Sequence, residues 1–301
     1  MFPESTPRFP QDLTDGHDSD LGPLLARGQW GRRKRWNHWC VTSDRAVAIM
    51  TLADLDYLGL AALAVLDRET GRWTDRLALR PLGWRAPLGD RVSGETVAGE
   101  WLGMALRFAD RGDAVQLSGQ ARGVSIELEV RRPAGHQTVD VLIPWTDRHF
   151  HFTSKHSALP ASGVVTVKGR RMAISGWGCL DFGRGVPPAR AHWNWASAAG
   201  QRDGRTVGLN LGGIWTDGTG RNENGLVVDG RMTRLGDVVF TRDPWTIRGA
   251  EVDLAFTPQH RKRVRAGLVS LDIGFGWFRG RVAGVELVDL YGWAEDCRLL
   301  W

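Results

Sequence analysis

The residues best suited to chemistry fall in two short stretches. The first, DFGRGVPPARAHWNWASAAG at 181–200, gathers Asp181, Arg184, His192, Trp193, Asn194 and Trp195. The second, GGIWTDGTGRNENG at 212–225, carries Trp215, Glu223 and Asn224, with Asn210 just before it. A carboxylate near a guanidinium suits proton transfer or the holding of an oxyanion. Amide side chains fix polar ligand atoms, and indoles build apolar walls. We expect Asp181 to serve as acid or base, Arg184 to orient it or an oxyanion, and Glu223 to assist. His192, Trp193, Asn194, Trp195, Asn210, Trp215 and Asn224 are the expected ligand contacts. A second reading of the same residues stands beside this one. In it the tryptophans are core, and Asp181 and Arg184 form a buried structural pair, since buried charges must be paired or hydrogen-bonded.

On a strand, alternate residues face opposite sides. Trp193 and Trp195 therefore share one face, and His192 and Asn194 the other. Either pair could be the one that meets the ligand. Other signatures fail. There is no GxGxxG after a strand, no GxxxxGK[ST], no GxSxG and no HExxH, so dinucleotide, P-loop and elbow-type hydrolase chemistry lose their support. His149 and His151 share a strand face and His156 follows, but no carboxylate or cysteine completes a zinc set. DGTGRNENG lacks calcium-loop spacing and reads as a Gly-rich hairpin loop. No metal and no cofactor is expected.

The elements that must position these residues read as strands. VSIELEV alternates apolar and polar residues, as a half-buried antiparallel strand should. VVTVKGRRMAI is two strands about a Lys-Gly turn, and LVVDGRMTRL carries an Asp-Gly turn, a strong hairpin signal. LGLAALAVLD has some helical propensity, but its length and turn-rich flanks favour a strand. Turn signals recur every 8–12 residues or so, the mark of a sandwich or barrel. No long amphipathic helix alternates with them. Residues 1–28 are rich in Pro, Asp and Ser and read as an arm. PWTDRHFHFTSKHSALPASG breaks the pattern, which places a domain boundary near 155: 29–155 and 156–301.

Of 301 residues, 38 are Gly and 15 are Trp. That glycine content suits tight hairpins, and that tryptophan content suits thick β-cores or an aromatic-lined cavity. The net charge of +5 is mild for this length, and the basic residues are interleaved with acids. This argues against a nucleic-acid partner. The one dense run, Arg32-Arg33-Lys34-Arg35, is a solvated strand start, with peripheral membrane contact as its alternative. No apolar run of about 18 residues is present, so no spanning helix is expected, and no secretory h-region opens the chain. Cys40, Cys179 and Cys297 are odd in number and far apart, which points to free thiols and a cytoplasmic location.

Several segments together resemble a family. LADLDYLGLAALAVLD, LDFGRGVPP, HWNWASA, GGIWTDGTGRNENG, DLAFTP and the closing GWAED look like an actinobacteria-rich family known only as a domain of unknown function (DUF2804-like). The likeness runs over roughly residues 20–301. More distantly, GWFRGRVAGVELVDLYGW and the Trp-x-Trp of HWNWAS resemble the carotenoid 1,2-hydratase and AttH-like proteins. That resemblance implies an all-β fold of two lipocalin-like (calycin-type) antiparallel β-barrels in tandem. It also implies an apolar cavity of the kind that hydratases and cyclases use. The hydratase relatives carry a His-Gln-Trp-Gly-like segment before the Trp-x-Trp strand. Here Leu180-Asp181-Phe182-Gly183 stands in its place, so alkene hydration does not carry over.

Three functions follow. The first is a cofactor-independent isomerase, cyclase or hydratase acting on a small, largely hydrophobic molecule in a Trp-lined barrel cavity. The second is a non-catalytic carrier of such a molecule. The third is a structural or interaction protein without a cavity.

Overall fold

The computed structural model describes residues 30–81, 88–146 and 148–301, so the N-terminal arm expected at 1–28 lies outside it. Every regular element among the described residues is a strand. The first eleven are β1 (Lys34–Ser43), β2 (Ala46–Asp54), β3 (Leu58–Asp67), β4 (Arg72–Pro81), β5 (Thr96–Trp101), β6 (Met104–Asp110), β7 (Ala114–Ala121), β8 (Val124–Arg131), β9 (Val139–Pro144), β10 (Phe150–Val167) and β11 (Arg170–Val186). The remaining nine are β12 (Arg190–Arg202), β13 (Arg205–Gly213), β14 (Gly225–Val228), β15 (Arg231–Arg234), β16 (Val238–Thr241), β17 (Trp245–Gly249), β18 (Val252–Ala266), β19 (Val269–Val282) and β20 (Val285–Leu300).

Hairpin chemistry sets the local order. Lys168-Gly169 and Asp229-Gly230 both place two successive residues at positive φ. That is the two-residue turn whose twist matches antiparallel strands. β3, which propensity left open to helix, alternates between half-buried and buried positions as a strand.

The strands build two barrel-like antiparallel sheets. The first runs β4-β3-β2-β1-β11-β10-β8-β7-β6-β5, with β9 also pairing β10; the second runs β15-β14-β13-β12-β20-β19-β18-β17-β16. In each, the first strand of the sheet pairs with the last: β1 with β11, β12 with β20. The first sheet curls round Met50, Leu63, Phe108, Ile126 and Phe182. The second curls round Leu209, Ile247, Phe256 and Phe278. A third apolar layer joins them: Cys40, Val47, Leu66 and Cys179 of the first sheet meet Trp195, Phe275, Tyr291 and Trp293 of the second.

The chain leaves the first sheet only after Val186, at Pro187-Pro188. The boundary expected near 155 falls inside β10. What lies there is a register shift between His156 and Leu159, with Ala158 at positive φ. Before it β10 pairs with β9; after it, with β8. The irregularity in the sequence is therefore a bulge and a change of partner within one strand. It also brings the sheets together: a methyl group on Gly208 of β13 would stand 2.6 Å from Ala158 Cβ.

The basic run at 32–35 is largely turned inward. Arg33 pairs with Asp56 at 2.8 Å and Arg35 with Asp54 at 2.6 Å. Lys34 Nζ donates to the carbonyls of Gly31 and Leu55, and Arg32 contacts His149. Arg33, Lys34 and Arg35 clamp the turn between β2 and β3, and Arg32 reaches the segment before β10. No helix among the described residues is long and apolar enough to cross a membrane.

Candidate functional site

The site lies between the two sheets, where β10, β11 and β1 face β12, β13 and β20. Cross-strand register aligns His38, Asp181 and Lys155 in one row, and Trp36, Gly183 and Thr153 in the next. Lys155 Nζ stands 2.7 Å from Asp181 Oδ1 and 4.0 Å from Glu223 Oε1. It also lies 4.7 Å from the centre of the Trp195 ring. All four of these residues are buried. From the second sheet, Glu295 is register partner to Trp195, and its Oε1 accepts the Trp193 indole N–H at 2.7 Å.

Burial governs the protonation of this cluster. It pushes the Glu295 carboxyl up to about 7, against the indole bond from Trp193 and the charge of Lys155. Glu223 is raised for the same reason, with Lys155 again opposing. Burial acts to lower Lys155, but Asp181 and Glu223 outweigh it and hold the ammonium above its ordinary range. Burial lowers His38 to about 4 and His151 well below its usual value, so both rings are neutral.

Aromatic walls stand over this base. Trp36 stacks on His151 at 4.4 Å. Trp215 meets His151 at 5.8 Å, Trp193 at 6.0 Å and Trp145 at 4.6 Å. The four tryptophans 36, 145, 193 and 215 are half-buried, whereas the charged base beneath is buried. The glycines of β11 make room for this packing. A Cβ at Gly183 would lie 2.2 Å from the Trp36 ring and 2.6 Å from His151 Nε2. Cys40 and Cys179, free and buried, are register partners beside the cluster; burial pushes the Cys179 thiol up to about 12.

The expected site residues divide by strand face. Asp181, Glu223, Trp193, Trp195 and Trp215 come together. Asn210 and Asn224 are also there, but their amides serve the frame. Asn210 accepts the Trp195 indole N–H and donates to the Glu223 carbonyl. Asn224 accepts from Gly212 N–H and donates to the Gly236 carbonyl. His192 and Asn194 turn to the opposite face of β12, where both bond Asp296.

Arg184 does not join Asp181. Three residues apart on a strand, they face opposite sides. Its five N–H groups all go elsewhere: to the Gly89, Trp36 and Gly183 carbonyls and to Asn37 Oδ1. With no donor left, it can neither orient Asp181 nor hold an oxyanion, and the expected Asp181–Arg184 pair is replaced by Asp181–Lys155. Nor do His149 and His151 converge on a metal. His149 bonds Thr146 and Arg32, and no group of three potential metal ligands is gathered among the described residues.

Sequence reasoning missed Lys155 and Glu295. Lys155 belongs to FHFTSKHS, whose polar residues are buried on both faces of β10. The run Thr153-Ser154-Lys155-His156-Ser157, polar at five successive strand positions, is the signal that could have found Lys155.

A family model described as "Domain of unknown function (DUF2804)" matches residues 15–301. No curated protein matches the chain in sequence. Among solved structures, an AttH-like protein from Nitrosomonas europaea is similar at 12% identity and TM-score 0.57, over 93% of this chain and 97% of that one. CghA is similar at 13% identity and TM-score 0.52, over 89% and 88%. Kievitone hydratase from Nectria haematococca is similar at 9% identity and TM-score 0.52, over 94% and 92%. At these identities the likeness is one of fold: tandem, lipocalin-like β-barrels.

Proposed function

The chain belongs to the DUF2804 family, and from that premise, which carries no activity, we propose that it binds a small, largely hydrophobic molecule between its two sheets and moves a proton on it without a cofactor. One observation carries this reading. A buried cluster of Lys155, Asp181, Glu223 and Glu295, drawn from both sheets, lies at the base of half-buried tryptophans. An apolar recess with a few convergent polar groups of perturbed pKa is the arrangement of small-molecule sites. A structural ion pair needs one partner per charge; here one ammonium stands among three carboxyl groups.

Glu295, poised at about 7, is matched to general acid–base work near neutral pH. Lys155 supplies a fixed positive charge, and Asp181 holds it. The fold supports the same reading, since a neighbour with it is named a hydratase and another has been solved with Sch210972. The class of reaction is isomerisation, cyclisation or hydration, in a protein we place in the cytoplasm.

The test is native mass spectrometry of the protein purified from its source, followed by incubation of any retained molecule with fresh protein. A retained molecule that is converted supports the enzyme. One that is retained unchanged supports a carrier. Protein with no retained molecule and no affinity for apolar probes would leave an interface without a ligand.

A further inference from the structure

The one ammonium at the base of the site selects among reactions, and this step rests on the reading just given. Lys155 Nζ forms one close ion pair, with Asp181 Oδ1 at 2.7 Å. Its next carboxylate, Glu223, is at 4.0 Å, too far to accept a hydrogen bond. Its third neighbour is the Trp195 ring. An ammonium has three N–H groups, so this buried side chain keeps donor capacity beyond its pair with Asp181. Glu295, from the opposite sheet, is held there by Trp193, with one carboxyl oxygen engaged. A carbocation formed on a substrate here would arise beside a fixed ammonium that already covers the Trp195 face. An oxyanion formed here would meet a preorganised donor in a site that excludes water.

We propose that the molecule bound between the sheets is an enolisable carbonyl compound on an apolar frame, with its oxygen on Lys155 Nζ and its α-carbon against Glu295. Glu295, as carboxylate, takes the proton from that carbon. The C–H electron pair becomes the C=C bond, and the C=O π pair moves onto oxygen, where Lys155 holds it. Glu295 then returns the proton to the α-carbon or, in a conjugated chain, to the γ-carbon. The net change is an isomerisation that consumes nothing else. Asp181 is a positioning residue: it fixes where Lys155 points. His38, Cys40, Cys179, Glu223 and Asp296 also face or flank these two groups, and the cited shifts leave the histidine neutral and the Cys179 thiol protonated near pH 7.

Three aromatic probes of one size separate the possibilities: acetylnaphthalene, ethylnaphthalene and naphthylethylamine, followed by quenching of tryptophan fluorescence. A hydrogen bond to a charged donor should make the ketone bind roughly tenfold or more tighter than the hydrocarbon, with the amine weakest. In D2O the protein should exchange the methyl protons of the bound ketone, read by mass spectrometry, with a rate that rises with pH through about 7. Glu295→Gln should bind the ketone and lose exchange by about 100-fold or more. Lys155→Met could unfold by stranding Asp181, so Lys155→Met with Asp181→Asn is the second variant; it should erase the preference for ketone over hydrocarbon. Ketone bound with no exchange above buffer, equal affinity for ketone and hydrocarbon, or preference for the amine would each overturn the proposal while leaving the site in place. Binding of none of the three would overturn the site as well.

Discussion

A buried ammonium and its carboxylate are costly to separate. Removing one partner of such a pair usually costs about 3–5 kcal/mol. Glu223 at 4.0 Å remains for Lys155 when Asp181 is neutralised, so Asp181→Asn should cost about 3 kcal/mol in urea melts. A loss below about 1 kcal/mol would mean the pair is solvated. Glu295 gives a pH signature. Its folded value of about 7 lies above the ordinary 4.5, so folding favours its protonated form. The stability it adds is fully present below about pH 4.5 and is lost as the pH rises through about 7, on the order of 3 kcal/mol in all. The stability difference between the native protein and Glu295→Gln should therefore change across that window and level off above it. A difference independent of pH would refute the shift. Asp181, Glu223 and the tryptophans were legible because their segments are unlike ordinary strands. Lys155 and Glu295 were not, because each looks alone like an exposed polar strand residue. Only the register that sets Lys155 beside Asp181 and Trp195 beside Glu295 gives them a role.

Elements fix what residues can reach. Ile214 opens the loop that carries Trp215 and Glu223, and its φ is 71°, a region where a β-branched residue is a genuine outlier. It is 39% exposed, so part of its side chain already meets water. Ile214→Asn should stabilise the protein by about 1 kcal/mol, since the left-handed region costs L-residues about that much. A lowered melting temperature would show that Ile214 packs in a way that outweighs its backbone. The glycines of β11 work in the other direction. Gly183→Ala would drive a methyl into the Trp36 ring, and overpacking of that kind costs about 1–3 kcal/mol. Thermal melts and tryptophan fluorescence should show both the loss and a disturbed Trp36; a variant as stable as the parent would mean that the stack yields freely. The hairpins were legible from their Lys-Gly and Asp-Gly turns, whose conformation is a local matter. The bulge at 156–159 was visible only as a break in pattern, because a change of partner and a change of sheet look alike along a chain.

At the scale of the molecule, the apolar layer between the sheets and the charged cluster within it belong to both halves. Neither sheet alone could cover Trp195, Phe275 and Trp293 or pair Lys155 with Glu223. Calorimetry should therefore show one unfolding transition, with the site and both sheets melting together. Two separable transitions would mean that the layer is weaker than its burial suggests. The tandem, all-β architecture was legible from turn spacing and the family resemblance, whereas the site's place outside both curled cores was not. Strand parity alone cannot say which face of β12 meets a neighbouring sheet.

Each sheet is joined by its first and last strands, and that has a consequence for synthesis. β1 waits, unpaired on one edge, until β11 has been translated, and β12 waits in the same way for β20. Ladders between such distant segments form slowly, because a long loop must close before any contact rewards it. While it waits, a nascent chain presents the edge of β1, with Trp36, Trp39 and Cys40, to whatever lies outside the ribosome. Ribosome-bound chains stalled with β10 exposed should be cut readily by protease, and chains stalled with β11 exposed should resist. The emergence of one strand would thus be the moment at which half of the protein, and the floor of its site, comes into being.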